Sequence, residues 1–283
     1  FQEAIRVKPD YLAAHNRLAI CLAESDRFDE AIFWMSVASQ KAPWSAETFC
    51  NYGNILRKAG DFRQAVQMYR RAIELKPDWA EAHFNLGLVH LLLGNLEQGW
   101  PEFEWRLRQF PPESGYPNRH GLPLWQGEAL AGKTILVYDE QGFGDVFLFM
   151  RYLPQLKKAG AHLVLETRPA LISIFKSLSH IDELVARRPS VHPKTACDYC
   201  SPLASLPVRL GTRLATIPAG VPYLHADPGL KAHWARRMAK GTFKIGVVWS
   251  GPNIDPSRKL DLPFLAPLAE VKETALYGLQ KPP

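Results

Sequence analysis

Gly60-Asp61-Phe62-Arg63-Gln64-Ala65-Val66-Gln67-Met68-Tyr69-Arg70-Arg71-Ala72-Ile73-Glu74-Leu75-Lys76-Pro77 decides the fold. It reads as a turn, a helix and a proline that stops the helix, and the pattern returns at a spacing of 34 residues. Upstream at that interval stand Asp26, Phe28, Ala31 and Pro43; downstream stand Gly94, Leu96 and Gly99. Prolines at 9, 43 and 77 keep the same interval. Small residues at 31, 65 and 99 allow paired helices to approach closely, and proline cannot continue the helix before it. Each helix pair then leaves an apolar face that only the next pair can cover, so the units stack.

That period and punctuation are the tetratricopeptide signature. Three units are expected, Leu12–Pro43, Ala46–Pro77 and Ala80 to about Pro111. Gln2-Glu3-Ala4-Ile5-Arg6-Val7-Lys8-Pro9 matches Arg71–Pro77 and reads as the second helix of an earlier unit, so the array is expected to extend upstream. First helices of such stacks line a concave groove. Arg17, Asn51 and Asn85 share one register there and form a candidate row for the backbone of an extended peptide.

Working outward, the 283 residues suffice for two domains, and 47% hydrophobic with 22% charged residues describes a globular protein. No apolar run reaches the roughly 18 residues of a membrane span. Residues 1–110 carry 13 Lys+Arg against 14 Asp+Glu; the remainder carries 21 against 14. The second part, at +7, is therefore where an anionic ligand is sought. Without a basic run or a recognisable motif, nucleic acid is not the expected partner. Cys21 and Cys50 are expected on buried helix faces. Cys197 and Cys200 form a lone CxxC near His192 with no second pair, which reads as a loop, not a metal site. This cysteine usage fits a reducing cytoplasm.

Past residue 111 the periodicity changes. A linker is expected over 112–132, a Rossmann-like parallel-sheet domain over 133–241 and the start of a further one over 242–283. Thr134–Tyr138 and Ala161–Glu166 read as strands, Val146–Lys158 and Pro169–Leu178 as helices. Leu230–Lys240 reads as a helix leading into strands at Lys244–Trp249 and Ala275–Gln280. Alternating strands and helices imply a parallel sheet covered on both faces. The short second series gives the expectation of a chain truncated at both ends.

Ligands of such sheets gather at the carboxyl ends of the strands, which points to Glu140-Gln141-Gly142-Phe143-Gly144-Asp145. A dinucleotide fingerprint, with Glu166 as the ribose acid, fits poorly. Phe147 occupies the third glycine position, and Asp145 would face a pyrophosphate. Two readings of Asp145 remain open: a carboxylate that accepts a proton from a substrate hydroxyl, or a cap for its own helix.

Several separated motifs carry a resemblance. They are Leu124-Trp125-Gln126-Gly127-Glu128-x-Leu130-x-Gly132-Lys133-x-Ile135-Leu136, the Glu140–Asp145 loop, Arg151-Tyr152, Asp198, and Pro202-Leu203-x-Ser205-Leu206-Pro207. Pro222-Tyr223-Leu224, Gly246-Val247-Val248-Trp249-Ser250-Gly251 and Leu279-Gln280-Lys281 follow in the same order. The whole chain resembles bacterial tetratricopeptide proteins with a heptosyltransferase-like domain of glycosyltransferase family 9 and the GT-B fold. The resemblance implies an α-solenoid followed by an acceptor domain and part of a donor domain. It implies Asp145 as general base, with Gln141, Gly142 and Gly144 shaping the acceptor loop and Ser250, Gly251 and Arg258 near donor phosphates. Lys259, where relatives tend to show serine, departs from that pattern. Trp125 and Trp249 read as packing residues.

The expected activity is transfer of a sugar from a nucleotide-sugar co-substrate to a saccharide or protein hydroxyl, with no cofactor and no metal. A protein or peptide would occupy the array groove. The alternative is a non-catalytic interaction scaffold with a degenerate glycosyltransferase-like domain.

Overall fold

The computed structural model describes residues 1–109, 120–188, 193, 195–238, 240–249 and 260–279. They fall into two compact units, Phe1–Leu224 and His225–Pro283.

The first unit opens with antiparallel helix pairs. α1 spans Gln2–Val7, α2 Leu12–Glu24, α3 Phe28–Lys41, α4 Ala46–Ala59, α5 Phe62–Leu75, α6 Ala80–Leu92 and α7 Leu96–Phe103. The turns within the three pairs place Asp26, Gly60 and Gly94 at φ 58°, 85° and 79°, left-handed positions that glycine and aspartate tolerate best. Ala31, Ala65 and Ala72 are fully buried where helices cross. A Cβ on Gly53 would lie 2.6 Å from the Tyr69 ring, so that crossing requires glycine. Cys50 is buried as expected, but Cys21 is exposed. The buried face of α2 is set by Leu18, Ala19, Leu22 and Ala23, and Cys21 falls outside it.

α7 departs from its repeat. Pro101 stands inside it, removing one backbone donor, and after eight residues the chain tightens into a 3₁₀ turn at Glu104–Arg108. That turn enters the next layer. Phe103 belongs to the same core cluster as Trp125, Ile135, Val146, Leu163 and Phe175. Array and sheet thus share one hydrophobic core.

The sheet has four parallel strands, β1 Thr134–Tyr138, β2 His162–Thr167, β3 Glu183–Ala186 and β4 Tyr199–Pro202, in the order β3-β2-β1-β4. Thr134 pairs with His162, Ile135 with Tyr199 and Val164 with Glu183. Alternate β1 residues serve opposite faces: Ile135 and Val137 join the main core, Leu136 and Tyr138 a smaller cluster with Val164, Val185 and Cys200. Strands β3 and β4 carry too little apolar sequence to stand out, and β4 corrects the reading of the CxxC as a loop. Cys200 is a strand residue with no exposure. The helix expected over Val146–Lys158 begins earlier and is broken. α8 covers Phe143–Phe149, a 3₁₀ turn Met150–Tyr152, and α9 Leu153–Lys158, which carries Pro154 in its first turn. The helix expected over Pro169–Leu178 reduces to a 3₁₀ turn and α10, Ile172–Phe175. A four-residue α11, Leu206–Arg209, follows β4.

The second unit holds α12 Pro228–Arg237, β5 Phe243–Val247, α13 Ala266–Ala269 and β6 Thr274–Gly278, with β5 and β6 parallel. α12, placed by sequence with the first parallel-sheet domain, belongs here. None of the described residues of this unit is buried.

Candidate functional site

Two places collect the residues singled out by sequence. The first is a groove of about 310 Å³ along the array, lined by Ile20, Ala23, Asn51, Asn54, Ile55, Arg57, Lys58, Glu81 and Asn85. Asn51 and Asn85 both line it; Arg17 is exposed and does not. Asn54, one turn beyond Asn51, joins the two helices. Its Oδ1 accepts from Asn85 Nδ2 at 3.1 Å and from the buried Tyr69 hydroxyl at 2.8 Å. With its carbonyl so held, the Asn54 amide N–H₂ is oriented for an acceptor. Asn54 escaped the sequence reading because Ile20 and Leu88 occupy its equivalents in the neighbouring units. Burial pushes the thiol of the core residue Cys50 up to about 12, which keeps it neutral.

Two histidines, also missed, repeat at twice the period. His15 Nε2 lies 2.8 Å from the Pro9 carbonyl and His83 Nε2 2.7 Å from the Pro77 carbonyl. Each ties a first helix to the proline that closes the unit before it.

The second place is the carboxyl edge of the sheet. At the end of β1, consecutive carboxylates point to opposite sides, as strand geometry requires. Asp139 accepts from the Thr167 hydroxyl at 2.8 Å, the Arg168 amide at 3.1 Å and Arg168 Nε at 2.9 Å, and pairs with Arg187. Glu140 faces the array: Arg106 Nη2 and Nε reach it at 2.6 and 3.3 Å. Arg106, 2% exposed, also bonds Ser205 at 2.7 Å and pairs with Glu104, which in turn accepts from Arg209 at 3.0 Å. Burial alone would depress the Arg106 pKa, but the Glu140 and Glu104 carboxylates outweigh it and raise it.

Directly after these anchors comes the glycine loop. Gln141 takes φ 61° and is exposed. Asp145 is exposed and its Oδ2 accepts from the Gly142 amide at 2.9 Å, so it caps α8. A Cβ on Gly142 would sit 3.1 Å from that carboxylate, whereas one on Gly144 would meet nothing within 4 Å. The Arg168 guanidinium lies over the Phe143 ring, 4.4 Å from its centroid. Burial lowers the Arg168 pKa against the opposing pull of Asp145.

Other expected positions resolve simply. Glu166 is fully buried and its Oε2 lies 3.0 Å from His120 Nε2, which places it away from any ribose. Asp198 holds the start of β1 through Lys133 Nζ at 3.0 Å and the Thr134 amide at 2.8 Å. Arg151 and Tyr223 meet, 3.2 Å apart. Trp125 is buried and donates to the Glu128 carbonyl. Among the described residues no His/Cys/Asp/Glu group suits a metal ion and no helix is long and apolar enough to cross a membrane. Ser250, Gly251, Arg258, Lys259 and His192 lie outside the described residues.

Residues 1–44 match the family described as tetratricopeptide repeat and residues 53–94 that described as TPR repeat. The first third of the chain is a tetratricopeptide array. FlbA of Caulobacter vibrioides is 24% identical over 89% of this chain and 51% of its own length, a match that takes in most of the sheet as well as the array. The chain therefore spans about half of that relative. The UDP-N-acetylglucosamine–peptide N-acetylglucosaminyltransferase of Giardia intestinalis is 30% identical over 122 residues, 43% of this chain but 8% of that enzyme. The Hsp70-Hsp90 organizing protein of Triticum aestivum is 32% identical over 31% of this chain and 15% of its own. A solved structure of MamA from Desulfovibrio magneticus aligns with a TM-score of 0.36 at 16% identity, over 39% of this chain and 65% of that one.

Proposed function

We propose that this chain is a protein-interaction scaffold whose array groove holds an extended segment of a partner protein. The observation that carries the reading is the convergence of three amides, Asn51, Asn54 and Asn85, in one groove. Among the described residues the Asn51 side chain makes no hydrogen bond, and the Asn54 amide is turned outward by bonds to its own oxygen. Paired amide donors and acceptors are what a peptide backbone matches. Arg57, Lys58 and Glu81 on the rim would select among partner sequences. The Triticum relative, named for organizing two other proteins, supports a protein partner.

A library of extended peptides displayed to the full chain tests this. Asn51→Ala with Asn85→Ala is expected to weaken the peptides bound by the parent at least tenfold, about 1.4 kcal/mol. Equal affinity for every bound peptide would remove the groove from the account.

A second reading keeps the sheet edge as a glycosyl-transfer site. It is favoured by Gly144, whose missing side chain no packing in the fold demands, and by the exposure of Asp145 beside it. The Giardia relative's name adds a sugar transferase acting on peptides. In this reading the acceptor hydroxyl oxygen bonds to the anomeric carbon of a nucleotide sugar. The bond from that carbon to phosphate breaks, the nucleotide leaves with its electron pair, and Asp145 takes the hydroxyl proton. Gln141, Gly142 and Gly144 would shape the acceptor side. Asp145→Asn is then expected to cut turnover of a nucleotide-sugar panel by roughly 10²–10⁴ in the complete protein. Equal turnover in parent and variant would discard Asp145 as the base.

A further inference from the structure

The repeat assigns a place to every helix residue, and at one place the third unit breaks it. Ala38 and Ala72, 34 residues apart, are both fully buried at helix crossings; the next member of that series is Arg106. A charged side chain at a position otherwise held for alanine requires partners, because an unpaired buried charge is strongly unfavourable. Glu104 and the Phe103 carbonyl supply partners from its own turn, and the remaining partners lie outside the array. Glu140 receives two of its donors, and Ser205 receives a third.

Glu140 is the last residue before the glycine loop. Its neighbour Asp139 is held from the opposite side by Thr167, Arg168 and Arg187. The loop therefore leaves the sheet directly after two fixed carboxylates, one tied to the ends of β2 and β3, the other tied to the array. Beyond them Gln141 takes its left-handed turn and Gly142 meets the Asp145 cap. Glu104 keeps Arg209 and Ser205 as partners of its own. Loss of Arg106 thus removes its bonds to Glu140, Ser205 and Glu104, while Glu104 still ties Ser205 and Arg209 to the array.

We infer that Arg106 is a positioning residue for the glycine loop: through Glu140, the last turn of the array sets where Gln141–Asp145 stands. A partner that shifts that turn would shift the loop with it, so a ligand of the array and a ligand of the sheet edge would sense each other. The chemical purpose of the loop rests on the glycosyl-transfer reading; the positioning itself does not.

Hydrogen exchange of the full chain, read by mass spectrometry, tests the inference with Arg106→Met, Arg106→Lys and the double variant Arg106→Met with Glu140→Met. In the folded single methionine variant, segments covering Asp139–Phe149 are expected to exchange at least tenfold faster, while Ala46–Leu75 keeps its rate. Arg106→Lys, which retains the charge but not the fork, is expected to restore part of the protection. The double variant refills the site without charge and is expected to recover thermal stability while the loop still exchanges fast. A wild-type exchange rate for the loop in folded Arg106→Met overturns the inference. So does a wild-type loop in the double variant, because packing alone would then suffice; that variant also decides the matter if the single one does not fold. No donor sugar enters the measurement, so a silent transferase assay leaves the outcome untouched.

Discussion

The array and the sheet edge solve the same problem, how to keep polar groups inside a fold, in opposite ways. The array uses neutral amides in a half-open groove: Asn54 holds Asn85, and Asn51 faces the same space with its hydrogen-bonding capacity intact. The sheet edge uses charges closed on one another. Asp139 is paired with Arg168 and Arg187, and Glu140 with Arg106, the carboxylates and Arg106 being buried and the other two arginines partly exposed. A groove with unsatisfied amides is prepared for a partner. Charges paired with one another fix the end of β1 from which the loop departs. That difference is why the interaction reading stands ahead of the catalytic one: the groove offers binding capacity directly, and the edge offers Asp145 and the space over Gly144.

The sharpest way to break this contrast is to open the charge network. Removing one member of a buried ion pair leaves the other's charge less well compensated, so Arg106→Met is expected to cost the first unit about 3–5 kcal/mol, measured by denaturant unfolding of the full chain. A cost below about 1 kcal/mol would mean that water reaches Glu140, and the edge would then be as open as the groove.

Helix packing gives the next largest effect. A Cβ on Gly87 would stand 2.5 Å from the Phe103 backbone nitrogen and 2.8 Å from the Glu102 carbonyl carbon, where main chain cannot step aside. The clash of about 1–3 kcal/mol outweighs the helix-propensity gain of about 1 kcal/mol from replacing glycine. Gly87→Ala is therefore expected to lower the melting temperature by several degrees. A neutral result would show that the α6–α7 crossing opens more easily than its spacing implies.

These two positions also show what the sequence could and could not disclose. Gly87 lies in the third unit's first helix, and the 34-residue period told where every helix of the array would run. The same period contained the clue to Arg106, as a charge in an alanine series, but its partner Glu140 is 34 residues further along in a different layer. Contacts of that kind depend on how two folds dock, which no local pattern encodes. Asn54 was hidden for the opposite reason: its neighbours in the repeat are apolar, so only the folded groove shows that it bridges Tyr69 and Asn85. In the sheet, β1 and β2 announced themselves through Ile135–Val137 and Leu163–Leu165. β3 and β4, Glu-Leu-Val-Ala and Tyr-Cys-Ser-Pro, did not, because pairing on a parallel sheet and not side-chain pattern makes them strands.

A smaller effect comes from pH. Burial, aided by Arg70, lowers the pKa of His90 on α6, with Glu102 pulling the other way; burial lowers His180 as well. The unfolded chain takes up these protons first. Stability is therefore complete above the ordinary histidine value of about 6.5 and falls as pH drops through the window between that value and the lowered folded one. Thermal melts at pH 7.5 and 5.5 are expected to show the loss, and His90→Gln is expected to flatten part of it, leaving the share due to His180. If His90→Gln leaves the slope unchanged, the protons are taken up elsewhere, and the array interior is wetter than the exposure of His90, 4%, indicates.

The smallest structural effect belongs to Gly144, and it tests the comparison most directly. A Cβ there meets nothing, and alanine favours a helix over glycine, so Gly144→Ala is expected to leave melting unchanged or raise it slightly. The fold gives no reason for glycine at this position. If peptide binding by the array also stays at the parent level, the groove works without the loop. A fall in nucleotide-sugar turnover in that same stable variant would mean that an acceptor approaches the backbone over Gly144, and the sheet edge would hold a site after all. Unchanged turnover, or none in either protein, would leave the array as the working part of the molecule and the glycine loop as the fixed end of a charge network that begins at Arg106.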